Sequence, residues 1–239
     1  MNNNIVIARF KNETGGICEV VNMDNIYRGL RIINNIDNSF ESIIYINPEH
    51  KKQPVYIPVQ KIAFAFNKMF GINQALILGC AGCVIPRFFN FAIPNAVVTG
   101  IEYSAAMIKA AKKYFFTDTY KKFKLLHGDA YQYVADKNCG KYQDFIYVDL
   151  FEDSDISKGI FEKRFTDRLI DKLNDNGVIV YNVLGASASY TAKISGRLNS
   201  LYNKLNCHVY DITKPNEHYL VILKTNDVQA NRKFRQIIY

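Results

Sequence analysis

Three acidic side chains and one bend of small residues carry most of the chemistry this sequence offers. Gly79, Ala81 and Gly82 lie in ILGCAGCVIPRF (77–88), where small side chains let the backbone approach a ligand at the start of the next helix. Glu102 ends the run AVVTGIE, 23 positions after Gly79 (102 − 79), close to the ~20-residue separation at which an acid meets ribose hydroxyls in dinucleotide-binding folds. Asp129, in HGDA (127–130), has two readings. It accepts from an adenine amino group while Ala130 offers its backbone N–H to the ring, or it simply caps the helix that follows. Asp149 ends QDFIYVD (143–149) and so also stands at the carboxyl end of a strand. It opens DLFEDSD (149–155), a run that reads either as a negative mouth for a cation or as a solvated acidic turn. A full G-x-G-x-x-G is missing, which argues against a dinucleotide, whose pyrophosphate needs those glycines.

These acids cooperate only if one sheet brings them to one edge. From residue 74, β-rich apolar runs alternate with helical periods: QALILG (74–79), AVVTGIE (96–102), KFKLLHGD (122–129), QDFIYVD and GVIVYNV (177–183). The alternation predicts a parallel sheet with helices on both faces, and ligands of such sheets bind beyond the carboxyl ends of the strands. Ser104 is the expected N-cap ahead of Met107, Ala110, Ala111 and Tyr114, and Ile194, Leu198, Leu201 and Leu205 form a second core-facing stripe. NCHVY (206–210) and HYLVILK (218–224) are separated by too few residues for a crossover helix and must be antiparallel neighbours. Residues 1–56 read as short strands around 5–9, 17–23, 26–34 and 42–46, a β appendage ending in the linker candidate NPEHKKQP (47–54). Residues 57–239 form the nucleoside-binding domain, opened by a helix with Pro58 in its first turn and Ile62, Phe66 and Met69 at helical spacing. The expected class is α/β: a Rossmann-like methyltransferase fold with an antiparallel final strand and a small N-terminal β appendage.

Composition narrows the field. With 239 residues and 49% hydrophobic content the chain buries a substantial core, and no stretch approaches the ~18 unbroken apolar residues of a membrane span. The Asn-rich start lacks the features of a signal peptide, and five cysteines at irregular spacings read as reduced thiols, so a cytoplasmic protein is expected. Cys80 and Cys83 form a C-x-x-C, yet nothing else suggests a thioredoxin fold or completes a zinc site, and no metal is expected. The net charge of +8 is densest in KAAKKYFFTDTYKKFK (109–124), read as an exposed helix end and the start of an edge strand in preference to an RNA-binding patch. His127, His208 and His218 are read as packing or edge residues. The C-terminal VQANRKFRQIIY fits an amphipathic helix packing through Val228, Phe234 and Ile238, or an interface, which keeps a homodimer open.

The segments LGCAGCVIPRF, VTGIEYSAAMIKAAKKYF, LLHGDAYQYV, YQDFIYVDLFED and GVIVYNV resemble the spermidine synthase family and its spermidine synthase-like methyltransferase relatives. GLRIINNIDNSFESIIYINPEHKKQPVYIP resembles the family's N-terminal β-domain. The resemblance implies a pocket for S-adenosylmethionine or its decarboxylated form, built by Gly79, Ala81, Gly82, Glu102, Asp129 and Ala130, with Asp149 at the reacting end and a small, cationic amine as acceptor. Three departures stand out. Gly82 occupies the position of the Asp that holds the aminopropyl amine in aminopropyltransferases. Asp149 is followed by Leu150, Phe151, Glu152 and Asp153, so the family's second acid is at best replaced by Glu152 and its Pro is gone. The gate motif is reduced to Tyr56-Ile57-Pro58, leaving Tyr56 as the second catalytic candidate. The lost loop Asp favours a methyltransferase, aminopropyl transfer to a diamine is the alternative, and a non-catalytic nucleoside- or RNA-binding protein is the third reading.

Overall fold

The structure is a computed structural model and describes residues 4–33, 40–50, 58–140, 142–152, 155–183, 186–214 and 217–239. The chain begins with four strands, β1 (Asn4–Lys11), β2 (Ile17–Met23), β3 (Tyr27–Ile33) and β4 (Phe40–Tyr45), which form an antiparallel sheet in sequential order. The division expected at residues 56 and 57 lies outside the described residues. Then α1 (Pro58–Phe70) leads into β5 (Gln74–Leu78), α2 (Val84–Ala92), β6 (Val97–Glu102), α3 (Ala105–Tyr114), β7 (Phe123–His127), α4 (Ala130–Ala135) and β8 (Gln143–Val148). A two-residue ladder, β9 (Phe151–Glu152) with β10 (Asp155–Ile156), precedes α5 (Lys163–Lys172), β11 (Leu173–Asn182), α6 (Ala188–Tyr202), β12 (Cys207–Lys214), β13 (Glu217–Lys224) and α7 (Val228–Ile238).

The second sheet has seven strands in the order β12-β13-β11-β8-β5-β6-β7. Pairings β5–β6, β6–β7, β5–β8 and β8–β11 are parallel, whereas β13 runs antiparallel to both β11 and β12. The strand order reverses beside β5, between β6 and β8, and at such a switch point the chain segments that leave the strands diverge and open a crevice.

Period-two alternation divides the apolar side chains of this sheet between two cores. Ile77, Phe145, Tyr147, Val180 and Val221 face α1, α2 and α7, while Leu76, Leu78, Ile146, Val148, Ile179 and Ile222 face α5 and α6. A third cluster joins the sheets: Cys18, Val20, Leu30 and Ile44 pack on Val84, Met107 and Phe115, each fully buried apolar side chain contributing about 1.5–3 kcal/mol. The N-terminal sheet is therefore seated on α2 and α3, the helices that flank the small-residue bend.

Several expectations are met in detail. Ser104 caps α3, its hydroxyl accepting from the Met107 N–H at 3.1 Å, and Tyr120 and Phe115 are buried within the lysine-rich segment, which ends in the edge strand β7. Others need correction. Leu201 and Leu205 are exposed because the buried stripe of α6 passes through Thr191, Ile194, Leu198 and Tyr202, and the helix ends at Tyr202. Val228 is also exposed, since α7 turns Phe234 and Ile238 inward and leaves its first residue in solvent.

Candidate functional site at the carboxyl rim

The bend after β5 is built by its small residues. Gly79 has φ +84°, a conformation glycine adopts without strain, and a Cβ there would overlap the Asp149 carbonyl. Ala81 and Cys83 also take positive φ, 41° and 59°, uncommon for residues with a Cβ. Glu102 holds this turn in place. Its Oε2 accepts from the Cys80 N–H at 3.0 Å and the Ala81 N–H at 2.9 Å, and its Oε1 accepts from the Ser104 N–H at 2.9 Å. Three charge-assisted bonds fix the carboxylate at the mouth of the bend.

Sheet register brings in the other two acids. The Asp149 N–H donates to the Leu78 carbonyl at 2.8 Å, so this acid leaves the sheet directly beside the Gly79 bend. The Gly128 N–H donates to the Glu102 carbonyl at 3.0 Å, which places the Gly128-Asp129-Ala130 corner next along the rim. Asp129 is the N-cap of α4 and accepts from the Gln132 N–H at 2.9 Å through Oδ1, so the capping role is realised by one oxygen. Its Oδ2 has no partner among the described residues, and Ala130, the first residue of α4, is buried.

Asp149 is half-buried and no Lys, Arg or His pairs with it among the described residues. The Asn182 amide donates to its Oδ1 at 2.8 Å, and the Tyr147 hydroxyl supplies a further hydrogen bond. Burial pushes the Asp149 carboxyl up to about 6, the charges of Glu41 and Glu102 add to the rise, and the bonds from Asn182 and Tyr147 oppose it. The acid is thus ionised near neutrality yet poised to hold or release a proton.

Gly82 explains one departure from the family pattern. Its N–H donates to Ser42 Oγ at 3.0 Å, and a Cβ at position 82 would lie 2.6 Å from the Ser42 Cβ. Strand β4 of the N-terminal sheet fills the volume an acidic side chain would need. Tyr56 and Asp153 lie outside the described residues. The Cys80 thiol is not activated: its hydrogen bond with Cys83, then burial, push it well above the usual cysteine range, the opposite of a redox nucleophile. Among the described residues no group of His, Cys, Asp or Glu is arranged to hold a metal, and no helix is long and apolar enough to cross a membrane. A water-sized cavity of about 10 Å³ beside Pro86, Asn90, Val98 and Phe123 touches none of the rim residues.

Sequence reasoning missed Ser42, Asn182, Tyr147 and Glu41. The signal for Asn182 was present: a polar residue closing the apolar run GVIVYN. Ser42 and Glu41 had none, because their place depends on how one sheet docks on the other.

A mostly parallel sheet with β13 reversed, an acid at the end of β6 holding the bend after β5, and a further acid ending β8 define a Rossmann-like domain of the methyltransferase type. The sequence profile of the spermine/spermidine synthase domain matches residues 64–215, and the chain belongs to that family. No curated protein matches it in sequence. Among solved structures it is similar to a probable spermidine synthase from Corynebacterium glutamicum, at 17% identity and a TM-score of 0.72, covering 97% of this chain and 87% of that one. A spermidine synthase in complex with the transition state analogue AdoDATO follows at 12% identity and a TM-score of 0.63, with 96% and 76% covered. Human methyltransferase-like protein 13 in complex with SAH gives 14% identity and a TM-score of 0.58, with 76% and 88% covered. At these identities the structural likeness speaks for the fold.

Proposed function

We propose that the chain binds S-adenosylmethionine or a close analogue at the carboxyl rim and transfers an alkyl group from its sulfonium to a small amine acceptor. The observation that carries this reading is the convergence of Gly79, Glu102, Asp129 and Asp149 on one rim at the switch point of the sheet. The family membership and the AdoDATO- and SAH-bound neighbours support it.

The residues fit such a ligand. Gly79 lets the backbone come close, Glu102 keeps lone pairs on Oε1 for a ribose hydroxyl, and Asp129 Oδ2 is available to an adenine amino group, with the Ala130 N–H beside it. When bound, the nucleoside supplies an electrophilic carbon on a sulfonium. The amine nitrogen forms the new bond to that carbon, the carbon–sulfur pair returns to sulfur, and the nitrogen gives up one proton. Asp149, ionised above about pH 6, orients that nitrogen through an N–H···O bond and receives the proton.

Methyl transfer is the favoured reaction, because Ser42 leaves no room at Gly82 for an acid that would hold a second amine on the donor. Aminopropyl transfer is the second reading, favoured by the additional negative charge of Glu41 near Asp149. Incubation with donor labelled on the methyl or the aminopropyl carbons separates them. Label appearing in a methylated amine supports the first, and conversion of putrescine to spermidine overturns it.

A further inference from the structure

The exposed cations of this chain gather at one end of the large sheet. Lys109, Lys112 and Lys113 share one face of α3, while Lys121 and Lys122 precede the edge strand β7 and Lys124 lies within it. All six are exposed, and none forms an ion pair among the described residues. Asp118 is the one acid in the run. Helix α3 runs back from the carboxyl rim, so its last turn, with Lys112 and Lys113, reaches the amino end of the strands. The next segment is held there too. The Lys121 N–H donates to Asn90 Oδ1 at 3.1 Å, Lys122 Nζ to the Asn95 carbonyl at 3.2 Å, and the Val98 N–H to the Lys122 carbonyl at 2.8 Å, which ties both lysines to the end of α2 and the start of β6.

We propose that this amino-end face is a docking surface for the phosphate backbone of a nucleic acid, bound without regard to base sequence and apart from the carboxyl rim. Spacings of roughly 6 Å along the helix and along the strand spread the charge over a line, which suits a polyanion more than a lone phosphate. A helix end favours a pair of cations, and an open edge strand is guarded by a lysine or two. Neither asks for six together with a single acid among them, and a polyanion relieves their mutual repulsion.

The apolar residues of the same segment decide between anionic partners. Phe115 and Tyr120 are buried, the Tyr120 hydroxyl donating to the Phe115 carbonyl at 2.8 Å, and Tyr114, Phe116 and Phe123 are half-buried. No large apolar side chain between 109 and 124 is exposed. A lipid surface calls for an apolar face to insert, and the core of a protein interface is poor in lysine, so both fit this face badly. The same burial withdraws the rings from base stacking, which leaves backbone charge as the feature recognised. Glu102 and Asp149 stand at the opposite end of the strands and repel a phosphate chain, so a strand docked on the lysines leaves the rim open.

The test is fluorescence anisotropy of a labelled, mixed-sequence RNA strand titrated with the full chain at salt concentrations from about 50 to 200 mM. Wild type is expected to bind in the micromolar range at the low end, with log K falling against log salt at a slope of about −3, the counterions released from roughly four or five phosphates. Lys112→Glu/Lys113→Glu should weaken binding by about tenfold or more and flatten that slope. Lys193→Glu/Lys204→Glu changes the net charge equally at exposed positions on and beside α6, and should shift affinity by less than about threefold. Should the reversal at the helix end unfold the chain, Lys121→Gln/Lys122→Gln takes its place with the same expected direction. Absence of RNA binding by wild type at about 50 mM salt, equal losses in the two reversed pairs, or tighter binding to phosphatidylserine vesicles than to RNA overturns the proposal.

Discussion

Glu19 and Asp149 are acids withdrawn from water in the two sheets, and the protein treats them in opposite ways. Glu19, buried in the N-terminal sheet, accepts from Arg9 Nε at 2.9 Å on one oxygen and from Arg31 Nε and Nη2 at 3.0 and 2.7 Å on the other, with Arg9 Nη2 adding a further bond. Arg9 first, then Arg31, hold its carboxyl below the usual carboxylate range. Asp149 receives neutral donors, is pushed up to about 6 by burial, and meets the like charges of Glu41 and Glu102. The first arrangement uses an acid to tie β1, β2 and β3 together. The second leaves a negative charge that no Lys, Arg or His among the described residues pairs with, which is what the proposed amine-binding role calls for.

The largest effect that sharpens this contrast falls on chemistry. Asp149→Asn should lower the transfer rate by roughly 10²–10⁴-fold, read from labelled donor in single turnovers, and a loss below threefold would place the reacting acid elsewhere. Next comes Glu102→Ala, which removes the acceptor of three backbone N–H groups and should weaken nucleoside binding by about 30–100-fold in calorimetric titration. Unchanged affinity would separate Glu102 from the ligand.

Glu19→Gln should cost stability and spare nucleoside affinity. About 2 kcal/mol is expected by denaturant titration at pH 7.5, discounted because Arg9 is largely exposed. The contribution of a depressed acid is present above its unfolded value and lost as pH falls through the folded one, so the difference between variant and wild type should shrink as pH falls below the usual carboxylate range. Asp149→Asn should show the reverse sign. Its raised carboxyl carries a penalty above about pH 6 that vanishes below about pH 4, so the variant should be more stable by roughly 1–2 kcal/mol at pH 7.5 and equal to wild type in acid. A destabilised Asp149→Asn at pH 7.5 would mean that this acid, like Glu19, serves the fold.

The legible part of this molecule was the part written in local runs. QALILG, AVVTGIE and QDFIYVD each combine a buried strand with its terminal residue, so the acids at the rim could be read with their strands. Asn182 and Tyr219 meet only because β13 inserts between β11 and β12, and spacing along the chain carries no trace of that register. Ser42 and Glu41 depend on a bulge and on docking between sheets. The exposed Leu201 and Leu205 mark the other boundary: the buried stripe of α6 runs from Leu198 to Tyr202 and leaves Leu201 facing outward, and the helix ends at Tyr202, before Leu205.

The most direct test of the rim as a nucleoside site is calorimetric titration of S-adenosylmethionine, its decarboxylated form and methylthioadenosine into the wild-type chain and into Glu102→Ala. Saturable micromolar binding by wild type, shared by all three ligands through their common adenosine and weakened at least 30-fold in the variant, is the predicted result. No heat from any of the three, or equal affinity in the variant, would contradict it.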